Sequence, residues 1–66
     1  MKGKVVNWLG SYGFLESPEQ SDHIFVHFSD LEGRRELYEG EEVNFDLEKT
    51  EKGLRATNVT LITPDS

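Results

Sequence analysis

Apolar and polar residues alternate with a period of two in several short stretches of this chain, separated by glycine, proline and polar clusters. That period predicts strands, whose side chains point alternately to two faces. In residues 23–28, Ile24 and Val26 fall on one face, while His23, Phe25 and His27 fall on the other. Residues 2–9 read as a first strand, with Val5 and Val6 adjacent and Trp8 near its end, and Gly10-Ser11 reads as a turn. Residues 12–16 form a second strand, closed at Ser17-Pro18 because proline cannot donate to a central ladder. Residues 19–22 are a polar connection, and Ser29-Asp30-Leu31 is a short helical turn capped by Ser29.

A long polar connection over residues 32–40 contains Leu37 and Tyr38 as its only large apolar residues. Val43, Phe45 and Leu47 then alternate with Asn44, Asp46 and Glu48, the pattern of a half-buried strand. Residues 49–53 make a hairpin loop, and residues 54–63 the last strand. Its apolar residues Ala56, Val59, Leu61 and Ile62 change phase midway, which predicts a bulge near Thr57-Asn58. Pro64-Asp65-Ser66 is expected to fray. Five strands with little helix predict an all-β domain spanning residues 1–66, and at this size a small barrel disposes of exposed edges.

The two faces of the third strand differ in chemistry. Ile24 and Val26 already fill the inward side, so Phe25 and His27 are expected outside. Phe45 belongs to the core, because it shares a face with Val43 and Leu47. With only 35% hydrophobic residues, rings placed outside lower the stability of the domain, and function has to account for them. An aliphatic inner face backed by an aromatic outer face suits the stacking of unpaired bases. Tyr38 either joins that surface or covers a barrel end.

Charge complicates the picture. The net charge of −6 opposes binding to a polyanion, for which lysine and arginine normally neutralise phosphates. The acids, however, gather at residues 32–51, whereas residues 1–14 hold Lys2 and Lys4 and no acid. The absence of cysteine excludes disulfides and thiolate metal sites and is compatible with a reducing cytoplasm. No apolar run approaches the roughly 20 residues of a membrane span. His23 and His27 have the spacing of two ligands on a helical turn, but on a strand they lie about 13 Å apart, too far for one metal ion. His27, Ser29 and Asp30 contain the residue types of a hydrolytic triad, yet neighbours along a strand and turn do not converge. No enzyme, cofactor, metal or small-molecule substrate is expected.

The chain resembles a cold-shock domain from residue 2 to about residue 60. Gly3-Lys4-Val5 followed by Trp8 resembles that family's first strand. Tyr12-Gly13-Phe14-Leu15 resembles its first ribonucleoprotein motif, and Ile24-Phe25-Val26-His27-Phe28 its second. Glu39-Gly40 before Val43-Asn44-Phe45, and Ala56-Thr57-Asn58-Val59-Thr60, resemble the fourth and fifth strands. The resemblance implies a five-stranded antiparallel barrel of the oligonucleotide-binding (OB-fold) type. It also implies a cytoplasmic monomer that binds single-stranded RNA or DNA with low selectivity, often as an RNA chaperone. Carried over by position, the binding residues are Lys4, Trp8, Tyr12, Phe14, Phe25, His27, Phe28 and Lys52, with Arg34, Arg35, Tyr38 and Arg55 as further candidates. The competing reading is a protein-interaction barrel whose same aromatic face grips a peptide or a ribosomal protein.

Three features depart from the family pattern. The Lys-Gly pair before the first motif is missing and the Trp8 to Tyr12 connection is short. Asn7 replaces a basic residue, and Arg34-Arg35 stand near the place of a loop aromatic. Parity in the short connection decides where Trp8 points. A two-residue loop, Gly10-Ser11, sets Trp8 opposite Gly13 and splits it from Tyr12 and Phe14, because opposed residues share a face. A three-residue loop starting at Leu9 sets Trp8 opposite Tyr12. The expectation is the longer loop with a bulge at Val6-Asn7, giving one surface of Trp8, Tyr12, Phe14, Phe25 and His27. With few cations available, affinity for a single strand is expected to fall only shallowly with salt. A binding titration across salt concentrations checks this, and a slope equivalent to about six or more phosphate contacts contradicts it.

Overall fold

The computed structural model describes residues 1–62. The end of the last predicted strand at Thr63 and the fraying expected of Pro64-Asp65-Ser66 lie outside the described residues. Within them the strands are β1 (Lys2–Trp8), β2 (Tyr12–Ser17), β3 (Gln20–His27), β4 (Glu42–Thr50) and β5 (Gly53–Leu61). They close a barrel in the order β1-β2-β3-β5-β4. Four seams are antiparallel, as expected, but the closing seam is parallel, with Phe25 beside Arg55. The reason is topological: β5 returns from the β4 hairpin running in the direction of β3.

Every strand sends aliphatic or aromatic residues inward. Val5, Leu15, Ile24, Val26, Val43, Phe45, Ala56 and Val59 are buried together, and Leu37 from the long connection joins them. Phe45 is therefore core, as its pattern predicted. The bulge expected in β5 is present: Asn44 pairs with Thr60 while Asp46 pairs with Thr57, so β5 carries an extra residue opposite Phe45. That residue lets Ala56 and Val59, three apart, both reach the core. Asn58 takes the left-handed conformation, with φ of 51°, and its Nδ2 donates to Asp46 Oδ2 at 3.0 Å.

Several boundaries differ from expectation. The β4–β5 loop shrinks from residues 49–53 to Glu51-Lys52, because Lys49 pairs with Leu54 and Thr50 with Gly53 in the ladder. β1 ends at Trp8. β3 begins at Gln20, which pairs with Ser17, so the connection shrinks to a Pro18-Glu19 turn and residues 21–23 bow out opposite Glu16. The short helix is a 3-10 turn, Phe28–Asp30, and it starts one residue early. His27 rather than Ser29 caps it, its Nδ1 accepting from the Ser29 backbone N–H at 3.2 Å.

The β1–β2 hairpin corrects the expected loop. Val5 pairs with Leu15, Asn7 with Phe14 and Trp8 with Gly13, while the Leu9 N–H donates to the Tyr12 carbonyl at 2.7 Å. The bulge at Val6 exists, but the loop is the two-residue one, with Gly10 at φ 92°. The two expected features exclude each other. Once Val5 faces Leu15, a residue absorbed by the bulge is a residue withdrawn from the loop. Trp8 therefore turns to the barrel side, where it packs against the core, and Asn7 stands opposite Phe14. Gly13 has no space for a side chain, since a Cβ there meets the Asn7 carbonyl and comes within 2.7 Å of the Trp8 ring. Gly13→Ala is expected to destabilise the domain by about 1–3 kcal/mol through overpacking; the shift in urea midpoint measures it.

Candidate nucleic-acid interface

Alternation along β2 and β3 brings four rings to the outer face in two cross-strand pairs, Tyr12 with His27 and Phe14 with Phe25. Ring centroids lie 5.9 Å apart for Tyr12–Phe25, 6.1 Å for Phe14–Phe25 and 6.5 Å for Phe25–His27. Phe28, the first residue of the 3-10 turn, extends the row at 4.5 Å from His27. Two contacts are edge-on, Tyr12 with Phe14 at 85° and Phe14 with Phe25 at 70°, so the surface is stepped. Tyr12 and Phe28 are exposed, and Phe14, Phe25 and His27 are half-buried. The acceptor role of His27 Nδ1, which also lies 2.9 Å from Ser29 Oγ, leaves Nε2 as the N–H of the neutral ring.

The candidate cations are placed unequally. Lys52 lies on the β4–β5 hairpin and lines an open groove of about 520 Å³ together with Phe14, Phe25, His23 and Lys49. Arg55 sits beside Phe25, but its Nε and Nη2 both donate to Asp30 Oδ2, at 3.0 and 2.8 Å. Lys4 is exposed in the ladder between Glu16 and Glu42. Arg34 pairs with Glu41 at 3.0 Å and lies over the Tyr38 ring, and Arg35 is exposed on the connection. The Tyr38 hydroxyl donates to Glu36 Oε1 at 3.0 Å, and that bond to a carboxylate raises the phenol's pKa above its ordinary value.

The structure thus unites Tyr12, Phe14, Phe25, His27 and Phe28 and brings Lys52 and Arg55 to their margin. It does not bring Trp8 to them, contrary to the expected single surface. Sequence reasoning placed His23 on the outer face but did not assign it to the site, and it missed Lys49; both line the groove. It missed Asp30, which holds Arg55. It also missed Asn7 as the neighbour of Phe14; the side-chain oxygen of Asn7 is buried without a hydrogen-bond partner among the described residues. Lys49 comes near Phe14 and Phe25 only through the fold, since its neighbours in sequence are acids and Thr50. The ion pair of Asp30, which spans 25 residues, left no signal either.

A closed five-stranded barrel with contiguous rings across its second and third strands defines an oligonucleotide-binding barrel. The family model of the 'Cold-shock' DNA-binding domain matches residues 1–62, and the chain belongs to that family. It is 40% identical to the major cold shock protein of Micrococcus luteus, a match covering 85% of this chain and 91% of that protein. It is 39% identical to cold shock protein CspC of Bacillus subtilis, over 89% of this chain and 96% of that one. Among solved structures, drosophila Unr CSD456 superposes with a TM-score of 0.81 at 27% identity, covering 98% of this chain and 27% of that longer one. No helix among the described residues is long and apolar enough to cross a membrane.

The Arg55–Asp30 pair generates a prediction. Asp30→Asn releases the guanidinium beside Phe25, so single-strand binding is expected to tighten and the salt slope to steepen by about one phosphate contact. Anisotropy of a labelled oligonucleotide at several salt concentrations measures both, and an unchanged slope shows that Arg55 does not reach a phosphate.

Proposed function

We propose that this domain binds single-stranded RNA or DNA with low sequence selectivity, stacking unpaired bases on Tyr12, Phe14, Phe25, His27 and Phe28. The observation that carries this reading is the contiguous outward row of rings on β2 and β3. Every base has a π-face, so a ring platform accepts many sequences, and each good stack contributes about 1–3 kcal/mol. Lys52 and Lys49 border the platform and serve the phosphates, with Lys4 further along the same outer face. Both Arg34 and Arg55 are tied to carboxylates, so stacking rather than charge leads the interaction. Membership in the cold-shock family and the names of its relatives support this reading over a peptide-gripping platform. The role is that of a binding module, an RNA chaperone acting as a cytoplasmic monomer, and not of an enzyme.

Trp8 lies off the platform, so the test uses a labelled oligonucleotide instead of intrinsic emission. Oligo-dT and oligo-rU are expected to bind in preference to duplex, because stacking needs unpaired faces. Tyr12→Ala and Phe25→Ala are each expected to weaken binding by about 1–3 kcal/mol while the domain stays folded by circular dichroism. Saturating oligonucleotide is also expected to raise the melting temperature through mass action. Equal affinity for duplex, or variants that unfold, contradicts the stacking platform.

A further inference from the structure

A cleft of about 660 Å³ opens beyond the ring platform, between β1, the turn at Pro18 and the start of β3. It shares Gln20, Asp22 and His23 with the groove beside Phe14 and Phe25, so the two form one trough. Lys49 and Lys52 line the platform end of that trough, and Lys2 and Lys4 line the far end. All four lysines of an acidic chain are thus gathered along one path. Arg34 and Arg55 are held in ion pairs, whereas among the described residues none holds these lysines.

The far end also carries acids. Glu16 is exposed two residues beyond Phe14 on the outer face of β2, about 7 Å along the strand, with Lys4 directly opposite. Asp22 and Glu42 line the same cleft. Ser17 lines it too and is only 6% exposed. Its Oγ accepts from the Glu19 N–H at 3.4 Å, which leaves its proton for a further acceptor.

Such a mixture does not attract a polyanion uniformly, and the lysines along the trough repel a basic peptide. It suits a nucleotide strand met point by point, with ammonium groups at phosphates and a carboxylate at base N–H donors. A carboxylate presents two acceptors side by side. Guanine alone among the common bases offers two adjacent donors, N1–H and N2–H, on its Watson–Crick edge. Adenine and cytosine offer one amino group beside a ring acceptor. Thymine and uracil flank their N3–H with two carbonyls, which repel a carboxylate.

We propose that Glu16 reads a guanine placed one step beyond the bases stacked on Phe14 and Phe25. Its carboxylate accepts from N1–H and N2–H while Lys2 and Lys4 hold the adjoining phosphates. The proposal rests on the platform reading and adds one selective position to a surface that otherwise accepts any base.

Anisotropy competition compares a dT heptamer with dT hexamers extended by one guanosine at the 5′ or the 3′ end. One of the two extended strands is expected to bind about 5- to 30-fold tighter than the heptamer. Inosine in place of that guanosine lacks the N2 amino group and is expected to remove most of the gain. Glu16→Gln is expected to abolish the guanine preference. Loss of an acid strengthens attraction for every oligonucleotide, so the ratio of the two affinities is the readout. Glu51→Gln, outside the cleft, is expected to preserve that ratio, as is Phe25→Ala, which weakens both strands alike. Lys2→Gln combined with Lys4→Gln is expected to lower the salt slope by up to about two phosphate contacts. Thermal melts confirm that the variants remain folded. Equal affinity for all three strands overturns the proposal, as does a gain that inosine or Glu16→Gln retains. Failure to bind the dT heptamer at all overturns the platform reading, and this proposal with it.

Discussion

The pairing of Val5 with Leu15 in the barrel interior is the constraint from which the functional surfaces follow. A core this small has no spare aliphatic residue, so β1 must deliver Val5 inward against β2. The bulge at Val6 then shifts the parity of everything after it, and the short connection to Tyr12 leaves only Gly10-Ser11 for the loop. Side-chain period in a strand is two, so this one-residue shift sends Trp8 to the opposite side from Tyr12 and Phe14. Gly13, which has no side chain, supplies the space beneath the indole.

The same shift divides the aromatic residues into two groups with different chemistry. On β2 and β3, rings pack against rings near Lys49 and Lys52. At the barrel end, Trp8 and Tyr38 sit among carboxylates. Acids reach the platform margin as well, with Asp22 lining the lysine groove and Glu48 and Asp30 beside Arg55, so the π-surface and not net charge is what the platform offers to bases. The Arg55–Asp30 pair tempers the platform further, because a guanidinium held by an acid contributes less field to a passing phosphate.

His27 links the platform to the rest of the fold. Its ring is both a member of the aromatic row and the acceptor that starts the 3-10 turn, and that turn presents Phe28 and positions Asp30 against Arg55. Orientation of the ring is thus set by a backbone hydrogen bond, which lowers the entropy cost of stacking against it.

Local pattern sufficed for much of this. The alternation of Ile24 and Val26 with Phe25 and His27, and of Val43 and Phe45 with their polar neighbours, determined which residues are inside, because face assignment within one strand needs only the period. The phase change around Asn58 likewise determined the bulge in β5. Tertiary structure alone decided the loop of the first hairpin, since both loop lengths satisfy local turn chemistry and only the Val5–Leu15 pairing in the core separates them. It also decided the parallel β3–β5 seam and the partners of Arg55 and Trp8, because those contacts join residues whose relative register no single strand encodes.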